Sequence, residues 1–394
     1  MKRILFILLL TIPFIGFGQV WEKYYGNNQF DNFGYSIQNT IDGGYVVTGS
    51  LGQVINNKIW VLKLNSQGDT LWTKKLDGYW GISIKQTSDS GFVVLGNNDN
   101  NWNDVKVMKL SNSGQLSWVK SYGGKTNGCI GSIEQTLDGG YVFTEQNSVI
   151  KINTIGDTLW VTNTSFTPSR VKQINNSDFI IIGEDKILKI NSQGDLIWIK
   201  NISLNYYSGS YSIDEVNNEF IIVGNKGGQS NSGVIIKTNS QGDTLWTRSN
   251  YGGELYSIKT NTDGSHIICG GKLNITNNTT ELYLLKVDYQ GNEVWSNTFG
   301  STNITDIGYE VDLTNDGGYI VVGSKGNMSN CVIHIIKTNS QGTITSTFNI
   351  PTPSSIRKLE KVVDILGRET KPKPNTPFIE IYHDGSTEKK IVVE

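Results

Sequence analysis

The side chains that could do chemistry are few. The chain has three histidines, His266, His334 and His383, and three cysteines, Cys129, Cys269 and Cys331. Neither set has metal-ligand spacing, and no HExxH, CxxC or GxSxG occurs. The cysteines read as small buried apolar residues, although an exported chain could pair two and leave one over. NNDNNWND at 97–104 is rich in oxygen donors but lacks the Gly and terminal Glu of a calcium loop. The clearest binding chemistry is aromatic: Tyr79, Trp80, Trp102, Tyr206 and Tyr207, set among Asn and Asp outside the regular pattern. Such platforms suit a glycan or a peptide, and the alternative is ordinary loop packing.

The elements that must position these residues are repeated. NSQGDTLW stands at 65–72 and again at 239–246, with variants at 112–118, 153–160, 191–198, 288–295 and 339–346. Ahead of each lies an apolar run ending in Lys, ahead of that a DGGYVVTG-like phrase, and ahead of that a short run such as YSIQ at 35–38 or YSIK at 256–259. The β-branched and aromatic content with turn punctuation gives four strands per unit. A period of roughly 40–50 residues matches a propeller blade. The fold expected is all-β: a seven-bladed β-propeller of four-stranded blades over residues 19–350, with a small C-terminal β tail at 351–394.

Asn65-Ser66-Gln67-Gly68 suits a type I turn with a left-handed Gly, a three-residue hairpin loop. That register sets Lys63 opposite Leu71 and Leu62 opposite Trp72, so Trp72 shares a face with Leu62 and Leu64 and presses on the next blade. Trp118, Trp160, Trp198, Trp246 and Trp295 repeat it. Full burial of one such Trp is worth at most roughly 5 kcal/mol gross. Lys63, Lys109, Lys151, Lys189, Lys237, Lys286 and Lys337 could form a polyanion-binding ring. The preferred reading is a packed stem with its head at a nearby carboxylate, Lys63 at Asp69 and Lys151, Lys189 and Lys237 at Asp157, Asp195 and Asp243, each exposed pair worth about 0.5 kcal/mol. The fourth residues of the first strands, Gln38, Lys85, Glu134, Lys172, Asp214, Lys259 and Asp312, alternate in charge, with neutral Gln38 at the seam an odd ring requires. They predict a belt of inter-blade ion pairs around the channel.

In the seventh copy Ser346 replaces Trp, and the N-terminus supplies the reason. WEKYYGNNQFDNFGY at 21–35 parallels WSNTFGSTNITDIGY at 295–309. Trp21 therefore belongs to a displaced outer strand that completes the last blade beside Ile333 and removes an open edge. Residues 1–18, with Lys2 and Arg3 before an apolar run too short to span a bilayer, read as a secretory signal. Without those two charges the balance is 32 basic (34 − 2) against 36 acidic residues, or −4. Nothing there favours nucleic acid or an anionic membrane. No other run is long enough for a membrane span, and the chain is expected to be a monomer.

The Gly-to-Trp spacing of the turn phrase resembles the docking motif of pyrroloquinoline-quinone-type propellers, and the array looks like secreted bacterial seven-bladed repeats. Quinoprotein dehydrogenases of that class use adjacent cysteines, which this chain lacks, so no cofactor is expected. The tail resembles the end of the type IX secretion C-terminal sorting domain of Bacteroidota. VVDILGRE, PFIEIYHDG and EKKIVVE read as its three strands, the last two joined at Asp384-Gly385. That resemblance implies the type IX machinery as a partner, passage across the outer membrane, and release or surface attachment. The function expected is a secreted or cell-surface, non-enzymatic binding or adhesion module. The alternative is an extracellular hydrolase or lyase acting on polysaccharide, which needs two carboxylates facing across a cleft.

Overall fold

The computed structural model describes residues 20–26, 31–52, 57–97, 104–123, 131–174, 177–202, 212–226, 233–301, 303–327, 330–344, 359–364, 366–373, 375–382 and 387–390. Two compact units divide between Thr345 and Ser346. Among the described residues the first unit holds seven four-stranded antiparallel sheets. Sheet 1 runs Phe33–Asn39, Tyr45–Leu51, Lys58–Leu64, Thr70–Leu76. Sheets 2 to 6 repeat this order and begin at Gly81–Gln86, Ile133–Gln135, Arg170–Gln173, Ser212–Val216 and Glu254–Thr260. Sheet 7 begins at Thr305–Leu313. Its fourth strand is Trp21–Tyr25, antiparallel to Val332–Thr338, with Trp21 opposite Lys337 and Tyr25 opposite Ile333. The first strands touch in sequence around a closed cycle, sheet 7 returning to sheet 1. The all-β propeller arrangement expected from the repeats is the one observed.

The core is distributed between neighbouring sheets. Val46, Ile59 and Val61 of sheet 1 meet Ile84, Phe92, Val94, Met108 and Leu110 of sheet 2, and six further clusters fill the other junctions. Both faces of every inner strand are therefore buried, which explains continuous apolar runs where a one-sided sheet would alternate.

The hairpin register differs by one residue from the sequence expectation. Gly68 N–H donates to Asn65 O at 3.0 Å, and Asn65 Oδ1 accepts from Gln67 and Asp69 N–H at 3.0 and 2.8 Å, so the turn forms. Thr70 then faces Leu64 but Trp72 faces Lys63, leaving Leu71 as a bulge. One extra residue flips every later side chain to the other face. Trp72 thus shares its face with Val61 and Lys63, toward sheet 2, while Leu62 and Leu64 look back to sheet 7. The same shift follows Lys109, Lys151, Lys189, Lys237 and Lys286.

Each Trp docks on the turn glycine of the next sheet. A Cβ on Gly68 would stand 2.9 Å from the Trp21 ring, and one on Gly114 2.9 Å from Trp72. The pairs Trp118–Gly156, Trp160–Gly194, Trp198–Gly242, Trp246–Gly291 and Trp295–Gly342 complete the cycle. Gly68 at φ 78° is required twice, for the left-handed turn and for the close ring above it. Trp21 is buried, whereas the other six are half-buried, so each of those gains only part of the full-burial value.

The lysine partners also differ from expectation. Lys63, Lys109, Lys151, Lys189, Lys237, Lys286 and Lys337 pair with Asp42, Asp89, Asp138, Asp178, Glu219, Asp263 and Asp316, in the turn between the first two strands of their own sheet. Asp42 Oδ1 also accepts from Thr40 Oγ1 and Gly44 N–H, and Lys63 donates to Leu64 O at 3.2 Å. Lys63 is buried while the Asp42 side chain stays 53 % exposed, so the lysine is clamped to a turn whose carboxylate still meets solvent. Asp69, Asp157 and Asp243 instead take Lys23, Lys120 and Lys200 from the outer strand of the preceding sheet.

The second unit is a three-stranded antiparallel sheet, Leu359–Asp364, Phe378–Tyr382, Thr387–Lys390, in that order. Its first strand is shorter than expected. Asp364 Oδ1 accepts from Leu366 and Arg368 N–H at 2.9 Å each, and Gly367 has φ 82°, so LGR is a turn. The Asp384-Gly385 joint, the signal segment 1–18 and Ser346 lie outside the described residues.

Candidate functional site at the channel mouth

The first strands meet around a narrow channel. Their second positions read Ser36, Ser83, Ser132, Arg170, Ser212, Ser257 and Glu310. Each Ser Oγ, and Glu310 Oε2, accepts the N–H of the residue one step inward on the next first strand: Ile84, Ile133, Val171, Ile258, Val311 and Ile37, at 2.8 to 3.4 Å. Arg170 is the exception and has no acceptor to offer.

Two positions deeper stands the alternating ring. Gln38, Glu134, Asp214 and Asp312 accept N–H groups of Gln86, Gln173, Thr260 and Asn39 in the following sheet, at 2.6, 3.3, 2.8 and 2.9 Å. Lys172 pairs with Asp214, and Lys259 lies 3.7 Å from Asp312. Lys85 departs from the expected belt by pairing with Glu310, 3.8 Å away, across sheet 1. The alternation thus has a backbone logic: acceptors bind the next strand's amide and lysines neutralise them. Burial opposes the charge of Asp214, but Lys172 and Lys259 hold its carboxyl below the usual range. Burial likewise opposes charge on Glu310, and Lys85, Arg170 and Lys259 overcome it. The Asp312 carboxylate raises Lys259 against burial. Between the two rings lies a cavity of roughly 40 Å³, enough for water but not for a sugar ring.

Above the rings the strands bulge. Register shifts between Gly34 and Ser36, Gly81 and Ser83, Leu255 and Ser257, and Gly308 and Glu310 leave Tyr35, Ile82, Tyr256 and Tyr309 unpaired at the channel's entrance. Bulges of this kind re-aim side chains. The result is a continuous aromatic wall over sheets 6, 7 and 1: Tyr256 to Tyr309 at 6.1 Å, Tyr309 to Tyr35 at 5.5 Å, and Tyr35 stacked on Phe33 at 5.9 Å between centroids. Tyr256 donates to Glu254, and burial followed by that carboxylate keeps its phenol protonated.

Of the residues singled out in sequence, Tyr79 and Trp80 are brought together. Their rings lie 4.8 Å apart, edge to face, and Asn97 fixes both backbones through Tyr79 N–H to Asn97 O at 3.1 Å and Trp80 N–H to Asn97 Oδ1 at 2.8 Å. Trp80 stands two residues before the bulge residue Ile82. Trp102, Tyr206 and Tyr207 lie outside the described residues. The wall of Tyr35, Tyr256 and Tyr309 was missed, although a Tyr directly before the second position of four first strands was its signal, the fourth, Tyr211, lying outside the described residues.

A second polar cluster joins the N-terminal strand Trp21–Tyr25 to the first and third strands of sheet 7. His334 is fully buried, its Nε2 2.8 Å from Glu22 Oε1 and its Nδ1 3.3 Å from Asp306 Oδ1, with Tyr24 stacked over it at 4.8 Å. Tyr24 donates to Glu22, and Lys325 lies 3.7 Å from Asp306. Burial lowers the His334 pKa, but Asp306 and Glu22 outweigh it and raise it above 6.5. The His334 bond lowers Glu22 to about 2. Cys269 and Cys331 are buried free thiols, and Cys129 lies outside the described residues. Among the described residues no group of His, Cys, Asp and Glu has the arrangement of a metal site, and no helix is long and apolar enough to cross a membrane.

Known structures share this architecture. The WD40 β-propeller domain of Doa1 superposes with a TM-score of 0.53 at 14% identity, over 83% of this chain and 98% of that one. The WD40 domain of Neurospora crassa Pan2 gives 0.53 at 9%, over 82% and 100%. At these identities the likeness is one of fold. No curated protein sequence matches the chain. A family model described as outer membrane protein assembly factor BamB matches residues 57–297, more than half of the chain. With its cyclic Gly–Trp joints and propeller sheets, the chain belongs to that family.

Proposed function

We propose that the chain is a secreted or cell-surface, non-enzymatic binding module, and that its ligand sits on the channel mouth. The observation that carries this reading is the set of bulges that aim Tyr35, Tyr256 and Tyr309 out of the pairing ladder into one aromatic wall. Aromatic surface on a rigid frame gives contact area at little entropic cost. Binding is favoured over polysaccharide hydrolysis because each channel carboxylate is engaged by a lysine or a backbone amide, and burial is outweighed at Asp214 and Glu310, which stay charged. The family is described by an outer membrane protein assembly factor, and binding is the activity this reading takes from it. Glycan and protein arrays probed with the purified full chain are expected to give a hit that falls at least tenfold in Trp80→Ala and Tyr309→Ala. Hits unchanged in both variants place the site elsewhere, and turnover of a polysaccharide hit favours the hydrolase.

Export by the type IX route rests on the tail's resemblance and its three-stranded sheet. Truncation after residue 350 is expected to trap the chain in the periplasm of a type IX-competent host. Normal appearance of the truncated chain in the medium removes that role from the tail.

A further inference from the structure

The second-position ring breaks its own rule once. Five serines and Glu310 accept a backbone amide from the next sheet, and Arg170 does not. A serine there would add one more inter-sheet hydrogen bond, so the arginine gives up a joint. Its guanidinium reaches upward. Nη1 donates to Gly131 O at 2.7 Å, at the level where sheets 1, 6 and 7 carry their wall tyrosines. Gly131 stands where Tyr35, Tyr256 and Tyr309 stand in their own sheets, and it has no side chain to compete with the guanidinium. That is the one hydrogen bond of Arg170 among the described residues, leaving the remaining N–H donors of a planar five-donor group. Arg170 is half-buried and lines the same cavity as Ser257 and Glu310, the residues that directly follow Tyr256 and Tyr309. Glu310 is hydrogen-bonded by Ile37 N–H and paired with Lys85, and Arg170 adds to the positive charge that keeps it ionised without a direct bond to it.

We infer that the channel mouth binds a carboxylate-bearing saccharide, a uronic acid unit whose ring face lies on Tyr35, Tyr256 and Tyr309 and whose carboxylate is received by Arg170. The inference rests on the binding reading above and names its ligand class. The cavity below is too small for a sugar ring, so the ligand lies across the mouth and only its carboxylate reaches inward. The guanidinium fork matches a carboxylate in two parallel bonds, which a neutral hydroxymethyl group cannot form. Stacking on the wall supplies affinity without charge.

Two conservative variants are supplied by the protein's own repeats. Arg170→Ser installs the residue found in five sheets, and Tyr309→Ile the residue sheet 2 carries as Ile82. Calorimetric titration of the full chain with galacturonate, mannuronate and glucuronate oligomers, each beside its carboxyl-reduced neutral counterpart, is the test. At least one acidic oligomer is expected to bind at least tenfold more tightly than its neutral partner. Arg170→Ser should erase that preference while keeping the melting temperature, and Tyr309→Ile should weaken both forms. If Arg170→Ser lowers the melting temperature, Arg170→Lys, which keeps charge but loses the fork, is read for the same loss of preference. Equal binding of acidic and neutral forms, weakened in Tyr309→Ile, overturns the carboxylate and leaves the mouth as a site. No binding of any acidic oligomer, or a preference that survives Arg170→Ser, overturns the inference.

Discussion

Trp21→Ala is expected to destabilise the propeller more than the same change at any other framework tryptophan, by about 3–5 kcal/mol. Trp21 is 8% exposed and the other six are half-buried. It lies edge-on to Tyr45 at 5.9 Å, donates Nε1–H to Ser66 O at 3.0 Å, and covers Gly68. Truncation leaves a cavity between sheets 7 and 1 and strips Ser66 of a partner. It also loosens the only strand in its sheet that arrives from the far end of the chain. Urea denaturation of Trp21→Ala and Trp160→Ala checks this. The first should show the larger fall in midpoint at unchanged slope. Equal falls would mean that closure contributes nothing beyond an ordinary joint.

The second large effect is on pH. His334 is held by Glu22 on the N-terminal strand and Asp306 on the first strand of sheet 7, with Tyr24 and Lys325 the other groups facing it. Its pKa is raised in the fold, so its contribution is fully present below 6.5 and is lost as pH rises through the raised value. Glu22 is shifted from 4.5 to about 2, so its contribution is present above 4.5 and is lost as pH falls through about 2. The seam is therefore firmest between about pH 4.5 and 6.5, and weakens as pH climbs from there through the raised His334 value. His334→Leu leaves buried Asp306 with only Lys325 and the Ser301 N–H and is expected to cost about 3 kcal/mol. It should also abolish the alkaline decline in melting temperature, and Glu22→Gln should reduce it. Parallel pH profiles for wild type and His334→Leu would show that the cluster does not titrate with folding.

Much of this was legible because repetition makes local rules visible. The Asn-x-x-Gly turn, four strands per unit and the displaced Trp21 strand all follow from spacing alone. The register was not, for a physical reason. Leu62 and Lys63 sit on opposite faces that are both buried, so hydrophobic pattern cannot detect the bulge at Leu71. The Tyr35, Tyr256 and Tyr309 wall was hidden in the same way, since a bulge and a continuing strand share one sequence. His334 carries no local signature at all, because its partners stand at residues 22 and 306.

The origin of the fourth strand of sheet 7 sets an order of events. Glu22 and His334 are separated by 312 residues. A chain emerging from its N-terminus presents Trp21–Tyr25 first and the strand that receives it nearly last. Six sheets can be completed while the first-made segment still waits, and the loop closed at the end is the longest the propeller contains. Until then the apolar third strand of sheet 7 has a vacant edge, and Trp21 has only the sheet 1 half of its contacts. The nascent propeller is in this sense unfinished until the third strand of its last sheet has emerged.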